Sequence, residues 1–229
     1  EIGCCDWSSD VCSSDLLEWL VTMRLITAGI LTVIYAWFRF GNSIFNVFHS
    51  VKDMLGLIVF GVFGMALCQY TYFRSIALAG AGIATVLQYL APSMIIIYLL
   101  VRYGKRPSKG EMVSVILALV GTICLMGNGD GLSIESFPMA VLVWGLLSAV
   151  GVAVYSISPV DLLYKYGTLP IVGFGMLISG IVAVILFHQP NSYAVWDVWT
   201  VIGCFNVIFL GTIVSFNAYL EGVKRIGAV

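Results

Sequence analysis

Gln88 stands inside a long apolar run, with Thr85 ahead of it, Tyr89 beside it and Pro92 after it. The i, i+3, i+4, i+7 spacing of Thr85, Gln88, Tyr89 and Pro92 places all four on one face of a helix. A hydroxyl, a carboxamide and a phenol on one stripe supply donors, acceptors and an aromatic platform, which suits reversible recognition of a small polar solute. The structural alternative is an interhelical hydrogen bond from Gln88 and a helix kink at Pro92. In the preceding apolar run, Gln69 and Tyr72 lie one turn apart, with Tyr70 and Thr71 pointing elsewhere. They suit a cavity wall, although the Tyr72 ring also suits a membrane interface.

Trp144, Ser148 and Tyr155 share a face of a later run, for stacking and hydrogen bonding to a substrate or for plain helix packing. Near the chain end, Asn206, Ile213, Asn217 and Glu221 fall along one stripe. Asn217 is deep and polar and is assigned to the cavity. Glu221 is a possible coupling site for a proton or cation. Its place at a helix end beside Lys224 and Arg225 favours an interfacial ion pair instead. Small-residue pairs such as Gly61/Gly64 and Gly175/Ser179 fit close helix contact.

Bond-making chemistry finds little support. The chain has no HExxH, GxSxG or Walker A sequence. His49 and His188 belong to loops on opposite sides, and Asn128–Gly131 reads as a turn. Cys68, Cys124 and Cys204 sit in apolar runs and read as small apolar residues, so no metal site or cofactor is expected. The expected partners are a small-molecule substrate and the lipid bilayer, with no nucleic acid.

The elements that hold these residues are dictated by composition. The chain is 60% apolar and 10% charged, with a mean hydropathy of +1.02. A soluble fold has too little interior for so much apolar surface, so most side chains must face lipid or other helices. Seven runs approach the length a bilayer core demands, and their bounds are Leu20–Phe38, Leu55–Leu78, Ile83–Val101, Met112–Met126, Met139–Val160, Pro170–Phe187 and Val198–Leu220. The expected class is an all-α, polytopic membrane protein.

Glu1–Leu16 does not fit this pattern. It is polar and acidic, and Asp6–Leu16 resembles the translation of a short-read sequencing adapter, so the segment is set aside as non-native. Removing Glu1, Asp6, Asp10 and Asp15 from the 12 acids leaves 8 against 11 bases, and the net charge moves from −1 to +3.

Basic residues alternate between loops. Arg39 and Lys52, then Arg102, Lys105, Arg106 and Lys109, then Lys165, then Lys224 and Arg225 fall on one side. The loops at Asn128–Pro138 and His188–Asp197 carry no Lys or Arg. The positive-inside tendency puts the basic loops in the cytoplasm. Arg74, beside an outer turn, breaks the pattern. It either attracts an anionic substrate or snorkels to headgroups, and snorkelling is preferred. Phe45, Phe48 and His49 suit a segment lying flat on the membrane, and Trp196 and Trp199 suit an aromatic belt.

The chain also repeats itself. The Gly80-Ala81-Gly82 turn returns at Gly227-Ala228, and an ungapped alignment pairs Gly64 with Gly211, Tyr72 with Tyr219 and Arg74 with Glu221. The first turn faces outside and the second faces inside, as in an inverted repeat, which points to transport.

Three segments together resemble the drug/metabolite transporter superfamily, EamA type: YTYFRSIALAGAGIATVLQYLAP, KRPSKGEMVSVILALVGTICLM and LGTIVSFNAYLEGVKRIGAV. The resemblance covers Leu17–Val229. It implies ten helices in two inverted five-helix repeats, of which residues 17–127 hold the first without its first helix and 137–229 the second without its last two. It further implies a permease of the cytoplasmic membrane, often exporting small metabolites through a central cavity. The expected function is secondary transport by alternating access, without enzymatic activity. The alternatives are a structural or sensory membrane protein and an intramembrane enzyme.

Overall fold

The computed structural model describes residues 14–104, 109–126, 139–186 and 198–226, and every regular element among them is helical. In chain order these are α1 (Ser14–Phe40), a 3-10 helix (Gly41–His49), α2 (Val51–Val59), a π-helical stretch (Phe60–Ala66), α3 (Leu67–Gln88) and α4 (Ala91–Tyr103). They continue as α5 (Lys109–Met126), α6 (Met139–Ile157), α7 (Val160–Tyr166), α8 (Thr168–Leu186), α9 (Val198–Ile208), a second π-helical stretch (Phe209–Val214) and α10 (Ser215–Ile226). An apolar chain in lipid must satisfy its backbone internally, and helices do so segment by segment.

Several expectations lie outside the described residues. They are the segment expected to be non-native, as far as residue 13, the basic residues 105–108, the expected outer loops at 127–138 and 187–197 with Asn128–Gly131, His188 and Trp196, and the second turn at Gly227-Ala228.

Among the described residues, five helical runs are long and apolar enough to cross a membrane: Trp19–His49, Val51–Gln88, Met139–Tyr166, Thr168–Leu186 and Val201–Arg225. Ala91–Arg102 is a shorter apolar helix. The difference from seven comes from the third and fourth expected spans: Met112–Met126 lies in α5, which is not among the five. Ile83–Val101 is not one helix, because the chain leaves helical geometry at Tyr89 and Leu90. Its first part joins α3, and its second part is α4. Pro92 explains the break: it has no N–H, and its ring clashes with the carbonyl four residues back. Leu90 adopts φ −74°, ψ −7°, and its N–H bonds to Leu87 O rather than continuing the α pattern.

Within α3 the backbone departs from helical geometry at Gly80, with φ 78° and ψ 164°. Only glycine occupies that region without a large penalty. The chain reverses there. Tyr72 Oη and Thr85 Oγ1 are 2.8 Å apart, whereas an unbroken helix would separate residues 13 apart by about 20 Å. The Gly80 turn therefore makes a hairpin with arms 67–79 and 81–88.

By internal contacts the chain divides into two units, one at Leu67–Ala153 and one made of Asp15–Ala66 with Val154–Ala228. In the second unit, α8 packs on the first π-helical stretch. A Cβ added at Gly61 would lie 2.8 Å from Ile178 Cγ2 and 3.1 Å from Gly175 O, so the two backbones approach as closely as the small-residue reading expects. The 3-10 helix after α1 is amphipathic, with Ile44 and Val47 buried. The rings of Phe45 and Phe48, 6.0 and 4.9 Å from that of Phe174, lie against α8. Ser50 caps α2, accepting from Asp53 N at 3.4 Å. Asp53 in turn pairs with Lys165 and accepts from Tyr166 Oη at 2.7 Å. In the first unit, Leu87, Leu90 and Ala91 pack against Val141 and Ala149 of α6.

Candidate functional site

The residues singled out by type and spacing fall into two groups, one in each unit. In the Leu67–Ala153 unit, the arms of the Gly80 hairpin are tied by polar contacts. Tyr72 and Thr85 share the 2.8 Å hydroxyl contact, and Thr85 also donates to Ala81 O at 2.7 Å. Gln88 donates from Nε2 to Ser148 Oγ at 2.8 Å and lies 3.5 Å from Cys68 Sγ. Ser148 is fully buried and Gln69 nearly so. Among the described residues, no protein group donates to the Gln88 carbonyl oxygen.

α6 reaches both arms because it is small where they meet. A Cβ on Gly145 would lie 2.4 Å from Leu87 Cδ1, and one on Gly151 would lie 2.8 Å from Cys68 Cα. One turn before Ser148, Trp144 packs edge-to-face on Tyr70 at 5.7 Å. The Arg74 guanidinium carbon is 6.0 Å from each of those two ring centroids.

The four-residue stripe expected on one helix is divided. Thr85 and Gln88 stand on the short arm of the hairpin. Tyr89 is 67% exposed in the break, and Pro92 is exposed at the start of α4. The interhelical hydrogen bond and the proline kink, the structural alternative for this stripe, are both present.

The expected face of Trp144, Ser148 and Tyr155 is divided as well, because Tyr155 belongs to the other unit. There it meets Tyr219 at 5.5 Å and Phe216 at 5.9 Å, and Tyr219 Oη bonds to Ser156 Oγ at 2.8 Å. Asn217 donates to Ile213 O at 2.8 Å, while its Oδ1 is buried without a partner among the described residues. Asn206 similarly turns back to Ile202 O at 3.0 Å. Glu221 accepts from Thr168 Oγ1 at 2.6 Å and pairs with Arg225 Nε at 2.9 Å. Among the described residues no group of three or more His, Cys, Asp or Glu is placed to hold a metal ion.

Sequence reasoning missed Tyr70, Cys68, Ser156, Thr168 and Tyr219 as contacts. Tyr70 lies off the Gln69/Tyr72 face, and its i, i+4 relation to Arg74 puts those two on a face of their own. Arg24 is a second base inside an apolar helix, α1.

The EamA-like transporter family matches residues 11–127. The uncharacterized inner membrane transporter YicL of Salmonella typhimurium is 32% identical over 229 residues, which is 96% of this chain and 75% of that protein. The chain belongs to the EamA-like transporter family. An uncharacterized transporter of Archaeoglobus fulgidus is 22% identical over 80% of this chain and 65% of its own length. A solved crystal structure shares the fold at a TM-score of 0.67 and 20% identity, covering 95% of this chain and 73% of that one. As an EamA-like transporter the protein is a multi-pass protein of the cell membrane, and the five long apolar runs above are long enough to cross it.

Proposed function

We propose that this EamA-like protein is a secondary transporter of small organic metabolites, working by alternating access between two inverted repeats within 17–127 and 137–229. It carries solutes without making or breaking covalent bonds. The observation that carries this reading is the hairpin at Gly80, which brings Tyr72, Thr85, Gln88 and Ser148 together inside strongly apolar helices. Polar side chains are expensive at membrane depth and mark solute pathways. The Gln88 carbonyl oxygen offers an acceptor, and with the Thr85 proton on Ala81 O and the Tyr72 proton on Thr85, the hydroxyl pair offers acceptor lone pairs.

The inverted-repeat part of the reading is supported by backbone geometry. α2 begins at Val51 and α9 at Val198, the same offset that pairs Gly64 with Gly211, and both runs pass through a π-helical stretch before their second α-helix. On the charge pattern the basic loops are cytoplasmic.

The test is flux through proteoliposomes containing the full gene product, against a broad panel of labelled metabolites. Solute-dependent flux is expected, and a panel that never crosses sinks the reading. Gln88→Leu should lower flux about tenfold through loss of a buried hydrogen-bonding group. Membrane insertion should be unaffected, because leucine is cheaper in lipid than an amide. Unchanged flux in that variant removes Gln88 from the site.

A further inference from the structure

We propose that Arg74, braced by Tyr70 and Trp144, is the anion-recognition point of the transport site and selects solutes that carry a carboxylate beside a flat apolar group. The inference rests on the transport reading above.

The argument begins with cost. Arg74 is half-buried in a helix whose composition demands lipid or protein around it. A guanidinium in such surroundings is expensive unless something compensates its charge. Among the described residues it makes no ion pair. Its compensation is aromatic, from two rings at 6.0 Å each. That is the outer limit for a cation–π attraction, which is worth far less than a desolvated ion pair.

The rings also do something that compensation alone does not require. Tyr70 and Trp144 are edge-to-face at 86°, so they flank the guanidinium from two directions, and among the described residues its fork of N–H donors meets no acceptor. A planar donor fork held in place with no acceptor is a preorganised site for a carboxylate. The same two rings offer apolar surface to the group that carries that carboxylate.

The neighbouring residues extend the match. Trp144 and Ser148 are one turn apart on α6, and Ser148 holds the Gln88 amide. Trp144, which touches Arg74, and Ser148, which holds the Gln88 amide, are thus about 6 Å apart along the α6 axis. Lipid phosphate is the other oxyanion within a membrane protein's reach, and the experiment separates the two sources.

Purified protein is assayed for ligand-dependent melting and for binding of matched pairs, benzoate with benzamide and N-acetylphenylalanine with its amide. The carboxylate of each pair should stabilise the protein and the amide should not. Arg74→Gln should weaken carboxylate binding at least about tenfold, and Arg74→Lys should retain part of it, since the charge stays and the fork is lost. Ligand-free melting of both variants reports on folding. Equal binding of acid and amide overturns the proposal, as does a carboxylate preference that survives Arg74→Gln. The same assay in nanodiscs with and without phosphatidylglycerol isolates the lipid: if Arg74→Gln alters only the response to phosphatidylglycerol, the site belongs to headgroups and the proposal falls. Metabolite flux without any carboxylate binding overturns the anion site and leaves transport standing. Absence of both removes the transport reading as well.

Discussion

The segment that begins at Val51 and the one that begins at Val198 pass through the same backbone states: α-helix, π-helical stretch, α-helix. Each then presents a tyrosine whose hydroxyl makes a 2.8 Å contact with another hydroxyl, Tyr72 with Thr85 and Tyr219 with Ser156. Their hydropathies are nearly equal. Their burial is not, for 39% of the most apolar stretch of Val51–Gln88 is buried, against 6% in Val201–Arg225. The first π-helical stretch is FGVFGMA, with Phe60, Gly61, Gly64, Met65 and Ala66 buried. In the second, FLGTIV, Thr212 is the buried residue, and it donates to Val207 O at 2.9 Å. Glycines in the first copy let other backbones in, while in the second a threonine satisfies a carbonyl that the π geometry displaces. The lesson is that apolarity does not decide which face is covered in a membrane protein, because lipid accepts the same side chains as a neighbouring helix does.

The strongest way to break this comparison is at the matched glycines. A Cβ on Gly64 would lie 2.7 Å from Tyr155 Cβ and 2.9 Å from Tyr155 Cα, while one on Gly211 would meet nothing nearer than 3.9 Å. Gly64→Ala should destabilise the detergent-solubilised protein by about 1–3 kcal/mol through overpacking. Gly211→Ala should be neutral or stabilising by up to about 1 kcal/mol through helix propensity. Equal unfolding curves for the two variants would erase the distinction drawn here.

A smaller effect is expected at the tyrosines. Tyr72→Phe and Tyr219→Phe each remove one hydroxyl contact, worth about 0.6 kcal/mol and at most about 1.7 kcal/mol in a membrane protein. Double-mutant cycles with Thr85→Val and Ser156→Ala measure each coupling directly. Similar couplings would support equivalent roles, and zero coupling at one pair would limit the likeness to backbone form.

The smallest effect belongs to Glu221. Its partner Arg225 is 75% exposed at the side chain, so Glu221→Gln should cost under about 1 kcal/mol. The measurement is the unfolding midpoint at low and high salt, with the difference from wild type shrinking as salt rises.

What could be read in advance follows from how local each feature is. The turn at Gly80 was legible because a φ of 78° leaves one residue type. The disruption near Pro92 was legible because a missing N–H is a property of a single residue. The two π-helical stretches were invisible, since an i→i+5 bond needs no particular side chain and only the Gly64/Gly211 match hinted that they correspond. Periodicity placed Trp144, Ser148 and Tyr155 on one face of α6 but carried no information about height. A 19-residue helix is about 28 Å long, enough for its two ends to serve different neighbours. The contact of Tyr70 with Trp144 joins residues far apart in sequence, which periodicity does not report.

The break between α3 and α4 has a kinematic consequence. Bending a continuous helix stretches backbone hydrogen bonds on its convex side, and that cost makes the helix behave as a rod. At Pro92 the bond that would resist bending does not exist, and the α pattern resumes only with Met94 N donating to Leu90 O. The stretch from Ala81 to Tyr103 is therefore two rigid pieces joined by a compliant knuckle. Gln88 rides on the last turn before that knuckle, so a small swing of one piece re-aims its amide while the hydrogen bonds within each piece stay intact.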